Sequence, residues 1–247
     1  MPSWNRQQFE NHGLSIGKGE VPGYSAVYKN GLNNDIDQGN IDTVWTAGGP
    51  YPWSALDTPQ TLFVLSTDAS DVGTVTIEGL NENWEAIEET VSFNGLTAGS
   101  TTNTFRRVNE ATYDNGDDEN VGEITVRTGS DTGTVVAHID SGLSQTLQAV
   151  YTVPLGFTAF VVMLDFGCQK GEDAQFRAFV RGGGEGRFRI AHIAEVYQNW
   201  YRYDFNVPPA FPEKTDIDIM VALVESNNTR AFSNFSVILI ENNKLRR

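Results

Sequence analysis

What most constrains this chain is a period of two. In "GTVTIEG" at 73 to 79, Val75 and Ile77 alternate with Thr74, Thr76 and Glu78, the pattern of a strand with one face buried and one wet. The same alternation returns in "EITVRT" at 123 to 128, "TVVAHI" at 134 to 139, "FRAFVR" at 176 to 181 and "RFRIAHI" at 187 to 193. Turn-forming clusters separate these stretches: "FNG" at 93 to 95, "TGS" at 128 to 130, "DSG" at 140 to 142, "GGGEG" at 182 to 186 and "ESNN" at 225 to 228. Strand, turn and strand at roughly ten-residue spacing predict an all-β fold, a β-sandwich or jelly roll. Two runs, "TAFVVMLDFG" at 158 to 167 and "FSVILIEN" at 235 to 242, are apolar on both faces, as strands between two layers should be.

The one stretch that competes as a helix is "ENWEAIEETV", 82 to 91. Neither period is clean there. The strand reading is preferred because the preceding "GLNEN" reads as a hairpin turn between two extended segments. Residues 1 to 42 are rich in Gly and Asn, carry scattered aromatics and lack sustained periodicity, so they are expected to form an extended N-terminal arm lying on a neighbour or on the body of the chain. The remainder divides near "SGLSQTL" at 141 to 147, giving an acidic β-sandwich subdomain over 43–140 and a more aromatic one over 141–247. At 247 residues the chain is long enough for one large β domain or two small ones.

Composition narrows the partners. With 32 acidic and 17 basic side chains the formal charge is −15, which argues against a nucleic-acid groove or an anionic membrane as the main partner. No stretch approaches the ~20 continuous apolar residues of a membrane helix. "MPSWNRQQFENHG" has no apolar signal-peptide core, so no signal-directed export is expected. The single cysteine, Cys168, excludes an intrachain disulfide and a multi-cysteine zinc site; at the end of an apolar run it reads as a small buried hydrophobe rather than a nucleophile.

Searching for chemistry yields little. His12, His138 and His192 lie far apart, and none belongs to a close-spaced ligand pattern. No GxSxG elbow or GxxxxGK loop is present, and "GGGEGRF" reads as a hairpin tip. The densest acidic run is "YDNGDDENVG" at 113 to 122. An EF-hand register fails there: counted from Asp114, the glycine falls at position 3 and position 12 is Thr125. The run is expected to be a solvated hairpin tip, with a looser calcium site from Asp114, Asp117, Asp118 and Glu119 as the alternative. In "FNVPPAFPEKTDIDIMV" at 205 to 221, Pro208, Pro209 and Pro212 hold the chain extended, and Asp216 and Asp218 are expected on the wet face of the strand that follows. No catalytic residue and no cofactor is expected.

The aromatic residues Trp45, Tyr51, Trp53, Trp200, Tyr201 and Tyr203 are read first as anchors for an arm and for subunit contacts, and second as rings that stack sugars. Read together, "GKGEVPGYSAVYKNGLNNDID" with "VWTAGGPYPW", then "TVTIEGLNENWEAIEETVSFNG", "QTLQAVYTVPLGFTAF" and "FNVPPAFPEKTDIDIMV" resemble a group of tailed-bacteriophage virion structural proteins, especially those of marine and environmental phages. The resemblance implies a non-enzymatic particle component: a capsid decoration or cement protein, or else a tail or head–tail junction protein. It also implies a virion location after synthesis in the host cytoplasm. Implied partners are further copies of the chain, a trimer being compatible, and the major capsid protein, with no nucleic acid and no membrane. Assembly contacts are expected from Trp4, Phe9, Tyr24 and Tyr28, with Trp45 and Trp53 at the root of the arm. Two further readings are a carbohydrate-binding adhesion module using Trp200 or Tyr201, and a glycoside hydrolase, for which no carboxylate pair stands out.

Overall fold

The structure, a computed structural model, describes residues 12–116, 118–184, 186–197 and 199–245; Trp4, Phe9 and Asp117 lie outside the described residues. A six-residue helix α1 (His12–Gly17) precedes β1 (Tyr24–Ile36), β2 (Asp42–Thr43), β3 (Gln60–Ser66), β4 (Val72–Leu80), β5 (Ala86–Asn94), β6 (Gly99–Phe105), β7 (Arg107–Asp114), β8 (Ile124–Thr128) and β9 (Val135–Ile139). Then follow β10 (Val150–Thr152), β11 (Phe157–Cys168), β12 (Asp173–Arg181), β13 (Arg189–Tyr197), β14 (Trp200–Asp204), β15 (Ala210–Phe211), β16 (Asp216–Val224) and β17 (Thr229–Glu241). The described residues are nearly all β, and the four sheets among them are antiparallel, as the alternation and turn spacing require.

The sheets pack in pairs. One runs β1-β17-β11-β14 with β15 beside β11, and faces another running β10-β16-β12-β13 with β2 beside β16. Between them lies a core of Phe166, Phe176, Ile219, Phe235 and their neighbours, drawn from residues 36, 44 and 149–239. The second pair, β6-β3-β8-β9 and β5-β4-β7, encloses Leu62, Val64, Ile77, Phe105 and Val126, all fully buried. These sheets will be called the outer sheet (β1-β17-β11-β14), the middle sheet (β10-β16-β12-β13) and the two distal sheets.

Local irregularities explain what periodicity obscures. On β11 the inward residues are Ala159 and Val161, then Leu164, Phe166 and Cys168, because the register against β17 shifts between Val161 and Met163. One extra residue swaps the inward parity, so the run reads as apolar on both faces. Cys168 is buried, and its Sγ donates to the Glu172 carbonyl at 2.9 Å, in keeping with its reading as a core residue. The ambiguous stretch 82–91 is a tight turn followed by β5. Asn81 Oδ1 accepts from the Asn83 and Glu85 amides at 2.8 and 3.0 Å, and Trp84 closes the turn at φ 68°, a left-handed conformation that a helix does not allow.

The described end of the stretch expected as an arm is a strand of the chain's own outer sheet. β1 pairs with β17 from Tyr24↔Ile240 to Ile36↔Thr229, and Ile36 is fully buried. Gly31 permits this course, since a Cβ there would sit 2.4 Å from the Val44 carbonyl oxygen and 2.7 Å from the Ala149 amide nitrogen. Gly31→Val is expected to cost about 1 to 3 kcal/mol through overpacking against backbone that cannot give way. Urea unfolding measures it, and a variant as stable as the wild type would remove Gly31 from this role.

Candidate functional site at the seam between the sandwiches

The outer face of the middle sheet meets the distal sandwich, and the sequence expectation fails most informatively there. Asp216 and Asp218 were expected on a wet face; they are 0% and 2% exposed. Ile217, Ile219 and Val221 fill the first core from one side of β16, while the two aspartates project from the other side into the seam. Alternation was read correctly, but both faces of β16 are covered.

Five donors converge on Asp216. Arg107 Nε and Nη2 reach Oδ1 and Oδ2 at 2.9 and 3.2 Å, forming a two-pronged pair. Arg181 Nε and Nη2 reach Oδ2 at 2.9 and 2.6 Å, and Thr152 Oγ1 donates to Oδ1 at 2.7 Å. Arg107, itself 1% exposed, also donates through Nη1 to the carbonyls of Leu56 and Arg106 at 3.0 and 2.7 Å. Aromatic faces sandwich the cations. Arg107 lies 5.5 Å from the Trp53 ring centroid and 5.1 Å from that of Trp84, while Arg181 lies 5.6 Å from Trp53 and 4.7 Å from Phe188.

Asp218 sits one step along β16. It accepts from Trp53 Nε1 at 2.7 Å and Thr43 Oγ1 at 3.0 Å. Burial pushes its carboxyl up to about 6, helped by Asp216 and opposed by the two donors and by Arg181. Tyr51, packed edge-on against Trp45 and Trp53, donates to the Val136 carbonyl at 2.9 Å, and its burial raises the hydroxyl above its ordinary value. The chemistry of this cluster is fastening. Both oxygens of Asp216 are occupied by the chain's own donors, leaving no lone pair free for a substrate.

A second tie crosses the seam nearby. Lys29, on the inner face of β1, is 2% exposed and donates from Nζ to the Asn109 carbonyl and to Glu110 Oε2, the latter at 3.1 Å. Burial lowers its pKa, against the pull of Glu110. Asn109 in turn pairs with Thr152 through both side-chain atoms, at 2.9 and 3.3 Å. Glu88, Glu78 and Glu110 stand directly opposite one another across β5, β4 and β7 beside a groove of about 300 Å³. Burial, then the charges of Glu110 and Glu88, raises Glu78 above the usual carboxylate range.

The other sequence-selected residues are dispersed. Trp45 and Trp53, expected as arm anchors, are 4% and 7% exposed and belong to a small buried cluster with Tyr51 and Val150. Tyr24 is half-buried and Tyr28 is 67% exposed on the outer face of β1. In the acidic connection between β7 and β8, Asp114, Asp118 and Glu119 are exposed, and Asp114 Oδ1 accepts from the Gly116 amide at 2.7 Å. Among the described residues no group of three His, Cys, Asp or Glu is placed to hold a metal ion. His138 Nδ1 lies 2.9 Å from Thr46 Oγ1, and His192 borders the first core. No helix among the described residues is long and apolar enough to cross a membrane. Sequence reasoning missed Arg107, Arg181 and Lys29. Lys29 and Arg107 are each the one basic residue of their strand and Arg181 shares β12 with Arg177, a signal that by itself points to no partner.

No family model and no curated protein matches the chain. Among solved structures it is similar to a chain from the Gx strain of infectious bursal disease virus, at 10% identity and a TM-score of 0.23, over 90% of this chain and 73% of that one. A chain from the Gt strain aligns at 11% identity and TM-score 0.24, over 90% and 72%. One from the VP2 subviral particle of the same virus aligns at 9% and 0.22, over 91% and 74%. TM-scores of this size establish no common strand arrangement and carry no functional weight.

Proposed function

We propose that this chain is a non-enzymatic structural component of a phage particle, a capsid decoration or cement protein that assembles with further copies of itself and with the shell. One observation carries the reading: the blocks through which the sequence resembles phage virion proteins converge on the seam. The first supplies Lys29, the next Tyr51 and Trp53, the middle one Glu78 and Trp84, the fourth Gln148 and Thr152, and the last Asp216 and Asp218. Each block thus contributes to the seam that joins the two sandwiches, while Arg107 and Arg181 come from outside the blocks, and a body fastened in this way suits a building block that must hold its shape. A stiff body with edge strands β14 and β13 at the ends of its first two sheets also offers surfaces to neighbours. The alternative position, in the tail or the head–tail junction, uses the same body.

Mass-resolved quantification of purified particles tests the reading. Copies in the hundreds are expected for capsid cement, against roughly 3 to 12 for a tail component, as closed ring and icosahedral symmetries dictate. Absence from purified particles sinks the proposal.

A further inference from the structure

Beyond a structural role, we infer that the exposed face of the outer sheet is a carbohydrate-binding groove, taking a short run of pyranose units. The strand register places residues on that face in rows. Leu32, Phe232, Gly167 and Trp200 stand opposite one another across β1, β17, β11 and β14, and the adjacent row is Asn30, Asn234, Asp165 and Arg202. An apolar and aromatic row thus lies beside a row of two amides, a carboxylate and a guanidinium. Pyranose rings present this same division, with C–H faces that stack on aromatic rings and equatorial hydroxyls that bond to planar polar groups.

Three details sharpen the assignment. Gly167 leaves room for the Phe232 ring, whose Cζ lies 2.2 Å from where a Cβ would stand, so the ring leans across β11 toward Trp200. Trp200 is 56% and Phe232 36% exposed, which leaves aromatic surface on this face open to stacking. Asp165 Oδ1 is buried and finds no hydrogen-bond donor among the described residues. A hollow of about 530 Å³ lined by Asn30, Leu32, Arg230 and Asn234 adjoins one of about 430 Å³ lined by Lys170, Asn199 and Trp200, with Cys168 and Phe232 in both walls. Each falls in the ~300 to 1,000 Å³ range of small-ligand sites. The chain from 141 to 247 that supplies most of this face carries 11 acidic and 11 basic residues, so the −15 of the whole protein does not bar an acidic glycan from it.

The test is titration of the full chain with maltohexaose, cellohexaose, laminarihexaose, chitohexaose and an alginate hexamer, read by calorimetry and by tryptophan fluorescence. At least one is expected to bind, and Trp200→Ala and Phe232→Ala are each expected to weaken it by about tenfold or more, which corresponds to about 1.4 kcal/mol. Gly167→Ala should do the same by displacing the Phe232 ring. Leu223→Ala, on the outer face of the middle sheet, should leave binding unchanged, and matching urea midpoints would show that every variant is folded. No binding to any of the five at 10 mM, or binding indifferent to Trp200 and Phe232, overturns the assignment. So does concentration-dependent self-association abolished by Trp200→Ala, which would make the face a contact between copies. The outcome is independent of the particle inventory, so either proposal can fail alone.

Discussion

Arg107→Met is expected to lower the unfolding free energy by about 3 to 5 kcal/mol, the usual cost of removing one partner from a buried ion pair. Arg107 is 1% exposed and joins β7 of the distal sandwich to Asp216 of the middle sheet. Without it, Asp216 keeps Arg181 and Thr152, but two carboxylates then share one guanidinium in a space closed to water. Asp218 should respond by holding its proton more tightly, so the loss should be smaller at pH 5 than at pH 8. Urea unfolding of the wild type, Arg107→Met, Asp216→Asn and the double variant measures the coupling; contacting buried pairs give about 0.5 to 3 kcal/mol, and the upper end is expected here. A single-variant loss below about 1 kcal/mol would mean that the sandwiches are joined by apolar packing and that the ion network is incidental.

Asp218→Asn is expected to gain stability relative to the wild type as pH rises. The folded carboxyl titrates near 6 and an unfolded aspartate near 3.8. Between those values the folded state holds the extra proton, so raising the pH destabilises it, and the penalty is complete above about pH 7. The full effect is about 3 kcal/mol, of which somewhat under half falls between pH 8 and pH 5. Asparagine still accepts from Trp53 or Thr43 but cannot ionise, so its stability should lack this component. The difference between variant and wild type at each pH isolates it from the other carboxylates. A difference that is flat across this range would show that Asp218 is not the buried titrating group.

Much of the fold was legible. Strands β4, β8, β9, β12 and β13 follow from alternating residues, and the turns between them from Gly, Asn and Asp clusters, because both signals are local. β1 was not legible. Its inward positions include Lys29, which reaches Asn109 and Glu110, Gly31, which lies against Val44 and Ala149, and Asn33, which donates to the Thr43 carbonyl, and they leave no apolar alternation to read. Of the seam itself, Trp45 and Trp53 were singled out as large rings at the root of the arm, for assembly contacts. Asp216 and Asp218 were noticed and assigned to solvent.

The sequence by itself determined the class: an antiparallel, nearly all-β chain of short strands whose turns sit where backbone chemistry permits them. Only the tertiary structure decided which polar faces are buried. Asp216 finds Arg107 across 109 residues of chain and Arg181 across 35. A carboxylate on an alternating strand is stable in water or against a cation, and the residue's own neighbours do not say which. That choice is made where the faces of the two sandwiches meet, by the cost of leaving either charge alone.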